Sequence, residues 1–186
     1  MMTHFDMRQL ENMLRAGGTQ RFHTWSAELI KTQDVAQHVY GLMWLVVALT
    51  RGTASRDLLL ATLFHDGGER WVGDMPGPMK RLLPGLRDSL DTAEADALQA
   101  RCGVAAPELS AFDSSTLDLA DALDGVFYCS REVALGNRRI GAVFANYIDY
   151  ASEAYKNVAF EYHNSLVEQV LEAASTQLAK EFRNGS

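Results

Sequence analysis

The segment Leu58-Leu-Leu-Ala-Thr-Leu-Phe-His65-Asp66-Gly-Gly-Glu69 decides how this chain folds. Its first seven residues are apolar apart from Thr62, which is typical of a buried helix. An imidazole and a carboxylate then stand side by side, and Glu69 follows His65 by four positions, so we expect both on one helix face. This donor set can hold a metal that activates water for hydrolysis. The alternative is a half-exposed helix end at which Asp66 and Glu69 are simply solvated.

Helical periodicity continues on both sides of this segment. Thr32 or Asp34 is expected to cap the helix before it, and Ser55 the helix that carries it. The Gly- and Pro-rich residues 73–78 predict a loop after it. The predicted helices cover residues 5–16, 35–50, 56–71, a segment after Pro84 within 80–100, a segment from a cap at Ser114 or Ser115 to about 135, 138–157 and 161–182. With no alternating strand pattern, the prediction is an all-α bundle.

The composition indicates one globular domain over residues 1–186. The 17 Lys and Arg residues against 24 Asp and Glu residues give a net charge of −7, so no basic face for nucleic acid is expected. The longest apolar run, residues 42–49, is too short to span a membrane. Cys102 and Cys129 lack a metal-binding spacing and predict reduced thiols. Without a signal-peptide pattern, we expect a cytoplasmic protein.

Further metal ligands are expected from two other predicted helices. His38 lies in the helix before the apolar segment, although a lone His on an apolar helix is more often a core residue. A carboxylate is expected from Asp118, Asp121 or Asp124, which are spaced by three residues. A solvated helix face would look similar, but apolar flanks indicate that at least one acid points inward. The spacing alone does not choose among the three.

These motifs resemble the H…HD…D signature of the HD-domain metal-dependent phosphohydrolases, with His38, His65-Asp66 and Asp121 in the signature positions. More narrowly, the chain resembles the bacterial 5'-deoxynucleotidases and the small phage dATP triphosphohydrolases of that fold. The similarity runs from residue 21 to 123, and the helices over 138–182 match only in being helical. The matching strings are Arg21-Phe-His-Thr, Gln33-x-Val-Ala-x-His38, His65-Asp-x-x-Glu69, Gly73-Asp-Met-Pro-x-Pro-x-Lys80 and Ala120-Asp-Ala-Leu123.

The resemblance implies a role for each matching position. One divalent transition metal, Co, Mn, Zn or Fe, would be held by the four signature residues. Catalysis would rest on Glu69, which orients or deprotonates the attacking water, and on Asp74, which fixes the sugar through its 3'-hydroxyl. The implied metal ligands are His38, His65, Asp66 and Asp121, and the implied substrate-binding residues are Arg21 and Lys80 for phosphate, Phe22 against the deoxyribose, and Asp74 and Pro76 in the sugar loop.

The implied activity is hydrolysis of deoxynucleoside phosphates. The Arg21-Phe-His-Thr string favours release of triphosphate from a dNTP such as dATP, in the host cytoplasm if a phage encodes the chain. A 5'-deoxynucleotidase acting on dNMPs is the alternative, and a non-catalytic nucleotide-binding HD module is an alternative of a different class. A triphosphate needs further cations, for which Lys31, Arg81 and additional Mg or Co are candidates. His23 is a further candidate for substrate contact.

The chain departs from the family pattern around the first metal ligand and at two other places. Gln37 and Val39 flank His38 where the family often has Glu and Ser. Glycines occupy positions 67–68 instead of bulkier residues, and Phe22 stands where Trp is common. We also expect Tyr147 to pack in the core or at a subunit interface. A homo-oligomer is expected, formed through the apolar faces around Leu166, Val170 and Leu171.

Overall fold

Helices form nearly all the regular structure in the computed structural model, which describes residues 6–22, 28–75, 83, 85–158 and 165–182. Within these ranges, extended pairing is limited to an isolated antiparallel bridge between Gln20 and Asp34. The all-α prediction is confirmed. None of the helices in these ranges is long and apolar enough to cross a membrane. In chain order they are α1 (Met7–Ala16), α2 (Val35–Leu49), α3 (Arg56–Phe64), α4 (Glu69–Val72), α5 (Leu86–Cys102), α6 (Ala111–Ala134), α7 (Gly141–Val158) and α8 (Ser165–Phe182).

Side-chain caps start the helices that lead to the histidines. The Asp34 carboxylate accepts from the Gln37 amide at the start of α2, and the Ser55 hydroxyl accepts from the Leu58 amide at the start of α3. These two predicted caps are confirmed. The predicted start of α6 at Ser114 or Ser115 is wrong. Ser110 caps this helix one turn earlier, so α6 runs for 24 residues.

The helix predicted over residues 56–71 is interrupted, and this prediction was also wrong. Helix α3 ends at Phe64, residues 65–68 form a turn, and α4 begins at Glu69. The backbone leaves the helical conformation at His65, whose ψ is 132°, and Asp66 then adopts the left-handed conformation with φ of 57°, so a right-handed helix cannot continue. His65 and Glu69 therefore do not share a helix face. The turn, rather than helical periodicity, sets their relative positions.

The core forms where α2, α3 and α7 pack around α6, and α8 packs on α7. Leu42, Leu58, Leu123 and Phe144 are among its fully buried side chains. Each contributes roughly 1.5–3 kcal/mol by leaving water. This packing fixes the two long helices that carry His38 and the acids of residues 118–124. Of the apolar residues expected at a subunit interface, Leu166 is exposed, while Val170 and Leu171 pack against the core.

Candidate metal centre

Two helices and a turn bring together the predicted metal ligands. His38 comes from α2, His65 from the turn after α3, and Asp121 from α6. Among the described residues, these three offer ligand atoms that all lie within 4.8 Å of one another and can hold a metal ion. The Asp121 Oδ1 atom lies 3.4 Å from His38 Nε2 and 3.9 Å from His65 Nε2.

Asp66 lies beside this cluster but is not part of it, with a different carboxylate oxygen near each imidazole. Its Oδ2 atom lies 3.5 Å from His38 Nε2, and its Oδ1 atom lies 3.3 Å from His65 Nε2. Two ligand atoms bound to one tetrahedral ion at about 2.0–2.1 Å are separated by about 3.3–3.4 Å. Three of the four separations lie within 0.2 Å of that value. The residues therefore fit a small divalent cation.

The protonation state of His38 also suits a ligand. Its side chain is fully buried, and burial together with the nearby Arg21 charge lowers its pKa, so the ring is neutral. Its Nε2 atom is buried and makes no hydrogen bond within the described chain, and the same holds for the Asp121 Oδ1 atom. Buried polar atoms normally have partners. These two atoms lie 3.4 Å apart, so they could be ligands of a shared cation, although the Arg21 guanidinium also lies 3.6 Å from Asp121 Oδ1.

The left-handed backbone at Asp66 is part of this arrangement. Such a conformation is unfavourable for a residue with a side chain by roughly 1–2 kcal/mol, and it persists where the surrounding structure enforces it. Here it puts the carboxylate within 3.5 Å of both imidazoles. The side chain is also mostly shielded from solvent, with 16% of its surface exposed.

The Arg21 guanidinium lies against the acidic side of the centre. Its nitrogens are 3.7 Å from Asp66 Oδ2, 3.6 Å from Asp121 Oδ1 and 3.5 Å from Asp124 Oδ2. Burial alone would lower the pKa of Arg21, but these carboxylates outweigh it and raise the pKa. Arg21 is thus a fixed positive charge beside the ligands, where the predicted role in phosphate binding requires it to be.

Phe22 is positioned by two tyrosines. Its ring stacks on Tyr128 with the centroids 4.7 Å apart, and it meets Tyr147 edge-on at 6.1 Å. The Arg21 guanidinium carbon lies 5.5 Å from the centroid of the same ring. Phe22 therefore supports Arg21 from one side. Its contact with a deoxyribose stays a prediction.

Glu69 is buried, which rules out the solvated helix end as its environment. Burial is the main cause that raises its pKa, the charges of Asp66, Asp74 and Glu94 act in the same direction, and together they bring the pKa to about 9. The electrostatic effect of Asp74 shows that the predicted sugar residue lies near the predicted base. Other predicted substrate residues, namely Pro76, Lys80, His23 and Arg81, lie outside the described residues. Lys31 is exposed, and its backbone amide donates to Glu132.

Two residues to which the family resemblance assigned no role in the centre, Asp124 and Tyr147, also lie near it. Of the three candidate acids on α6, Asp118 is exposed, Asp121 belongs to the cluster that could hold a metal, and Asp124 contacts the far side of the His38 ring. Tyr147 lies over Gly125 of α6, where any Cβ would overlap its ring. Its hydroxyl is close enough to Asp121 and Asp66 that their charges add to burial in raising its pKa. A glycine inside a predicted helix was the available signal for this contact.

Comparison with known proteins gives a likeness at the level of fold. No family model matches the chain, and no curated protein matches it. Among solved structures, the crystal structure of the PH0347 protein from Pyrococcus horikoshii OT3 is similar, with a TM-score of 0.62. The two chains are 16% identical, and the match covers 92% of this chain and 99% of that one. At this identity the similarity establishes a shared helical fold alone.

Proposed function

We propose that this protein is a divalent-metal-dependent phosphohydrolase of the HD-domain type that acts on deoxynucleoside phosphates. The observation that carries the proposal is the cluster of His38, His65 and Asp121, which could hold a metal ion, with Asp66 and the Arg21 guanidinium next to it. Two imidazoles with carboxylates suit Co, Mn, Zn or Fe better than Ca or Mg, which prefer oxygen donors.

The chemistry follows from the charges around this centre. A divalent cation held there supplies Lewis acidity for water and for a phosphoryl oxygen. Arg21 presents planar N–H donors that bind phosphate oxygens and stabilise the negative charge of the transition state. Its contacts with three carboxylates keep the side chain in place before substrate arrives.

Glu69 is assigned proton transfer with the attacking water. In the metal-free protein burial and neighbouring carboxylates raise its pKa to about 9, so the group is protonated at neutral pH and must lose that proton to act as a base. The carboxylate form, which a general base requires, is favoured by any neighbouring cation. Asp74 lies near enough to affect Glu69 and is assigned the substrate sugar, and Phe22, whose ring lies 5.5 Å from the Arg21 guanidinium carbon, is assigned the deoxyribose face.

Two reactions of this class are distinguished by the phosphorus that is attacked. We favour release of triphosphate from a dNTP of the dATP type, because the Arg21-Phe-His-Thr string resembles the phage enzymes. The exposed Lys31 and an additional Mg or Co ion are candidates for the outer phosphates. Removal of the 5'-phosphate from a dNMP is the second candidate, and it needs no cation beyond Arg21, Lys80 and the metal.

Product analysis tests the proposal. The purified protein is incubated with dNMPs, dNTPs and ribonucleotides, with Mn or Co added, and released phosphate and triphosphate are separated by ion-exchange chromatography. We expect triphosphate and deoxynucleoside from at least one dNTP, and no product with Asp66→Asn. Binding of deoxynucleotides without turnover under every metal condition would instead favour the non-catalytic module.

A further inference from the structure

The His38 ring has different partners at its two nitrogens. Nδ1 lies 2.7 Å from the Asp124 Oδ2 atom, whereas Nε2 faces Asp66 and Asp121 in the metal centre. Because the ring is fully buried, the charged imidazolium is disfavoured and the neutral ring carries one N–H. A carboxylate can only accept at this distance, so the proton belongs on Nδ1. The Nε2 lone pair then points toward the ligands.

Asp124 is itself held by a buried amide. The Gln33 Nε2 atom donates to Asp124 Oδ2 at 2.9 Å, and the Gln33 Oε1 atom accepts from Arg21 at 3.0 Å. The reverse orientation of the amide would place its oxygen against the carboxylate and its N–H groups against the guanidinium, and both contacts would be lost. Gln33 therefore links Arg21, the predicted phosphate-binding residue, to Asp124, which contacts the His38 ring.

A glycine in α2 makes room for the Asp124 carboxylate. Gly41 lies one turn after His38 in the helix interior, and a Cβ built there would overlap the Asp124 Oδ1 atom. Glycine is unfavourable inside a helix by about 1 kcal/mol relative to alanine. Its presence at this position allows α6 to bring the carboxylate of Asp124 directly against the His38 ring. The helix is thus shaped for this contact.

We propose that Asp124 is the positioning residue of the metal centre, holding His38 in the tautomer and orientation that present Nε2 to the cation. This inference rests on the proposed function, since it assigns Asp124 a task in binding the same metal. Metal-binding histidines usually donate their other N–H to a carboxylate or carbonyl, and removing that partner weakens metal binding about 10- to 100-fold. Asp124 acts on the metal through His38, and its Oδ2 atom also lies 3.5 Å from the Arg21 guanidinium.

The first measurement uses metal-free protein and does not depend on turnover. Nitrogen-15 NMR of the His38 ring reports which nitrogen carries the proton. We expect the proton on Nδ1 in the unaltered protein and a mixture of tautomers in Asp124→Ala. A proton on Nε2 in the unaltered protein would overturn the assignment of Asp124.

The second measurement is the dissociation constant for Mn or Co, obtained by titration against a chelating indicator. We expect weakening of about 10- to 100-fold in Asp124→Ala and, because an amide can also donate to the ring, in the isosteric Asp124→Asn. Asp118→Asn, at an exposed position on the same helix, controls for the loss of one negative charge near Asp121 and His65 and should weaken binding far less than either Asp124 variant. Gly41→Ala should weaken binding while Asp124 is intact.

The two proposals fail in different ways. If both Asp124 variants bind metal as tightly as the unaltered protein, the positioning role is wrong and the metal centre stands. If the unaltered protein binds no divalent metal, the proposed function is wrong, and the tautomer measurement still decides whether Asp124 orients His38. Should Asp124→Ala fail to fold, the same comparison is made with Asp124→Asn and Gly41→Ala.

Discussion

The buried Glu69 carboxyl group should make the metal-free protein less stable as pH rises, and Glu69→Gln should remove that loss. Burial and the neighbouring carboxylates raise the Glu69 pKa from 4.5 to about 9. Between these values the native state keeps a proton that the unfolded state has released. The contribution of Glu69 to stability is therefore complete below pH 4.5 and is lost progressively as pH rises toward 9.

The size of this effect follows from the interval between the two pKa values. Each pH unit within it lowers the free energy of unfolding by about 1.4 kcal/mol. At pH 7 the accumulated loss reaches about 3 kcal/mol, a large part of the roughly 5–15 kcal/mol of a typical domain. Because Gln has the same shape as Glu and no proton to release, Glu69→Gln should be more stable than the unaltered protein by a margin that increases with pH.

Urea denaturation followed by circular dichroism, at pH 6, 7 and 8 with a chelator present, measures this margin. The control is Glu108→Gln, at an exposed position, whose margin should not change with pH. A Glu69→Gln margin that stays constant between pH 6 and 8 would refute the reasoning. Saturating divalent cation should reduce the slope, since a nearby cation favours the carboxylate in the native state.

Three further perturbations test separate parts of the structure. Asp121→Asn should weaken Mn or Co binding at least 100-fold, because losing a metal ligand is more costly than losing the hydrogen-bond partner of a ligand. Asp118→Asn should not have this effect. If calorimetric titration gives Asp121→Asn and the unaltered protein equal affinities, the ligand set is contradicted. Glu132→Ala should lower the free energy of unfolding by about 3–5 kcal/mol, since this buried carboxylate accepts from two backbone amides and an asparagine, and chemical denaturation checks it. Gly125→Ala should destabilise by about 1–3 kcal/mol through overlap with Tyr147, and an unchanged thermal melting temperature would argue against that close contact.

Local signals were sufficient to predict most of the helices. Asp34 and Ser55 cap α2 and α3 as expected, because a side-chain oxygen before an apolar periodic run satisfies the first free amides of a helix wherever the helix then packs. The cap of α6 was misplaced because Ser110, Ser114 and Ser115 are all capable of the same bond. Ser110 forms the cap, and only the folded structure shows which of the three serines does so.

The turn at residues 65–68 shows where periodicity stops being informative. The apolar run and the spacing of His65 and Glu69 both predicted an unbroken helix, yet the chain turns at Asp66. A left-handed Asp is uncommon and is maintained by tertiary contacts that no local pattern encodes. Gly67 and Gly68 were the available sign of an interruption. Three of the predicted donors, His38, His65 and Asp121, still come together in a cluster that could hold a metal, although His65 lies in a turn and not in a helix.

Glycines at close contacts explain why the geometry of the centre could not be predicted from the sequence. Gly41 admits the Asp124 carboxylate, Gly68 admits the backbone of Glu94, and Gly125 admits the Tyr147 ring. None of the three has a positive φ, so conformational freedom does not account for them. Each removes one side chain where two elements of the site approach closely. A sequence shows that a side chain is missing at such a position, but only the packed structure shows which group fills the space. The distances between the ligands are therefore set by backbone proximity, and single substitutions to alanine at these glycines should alter the centre without removing any of its functional groups.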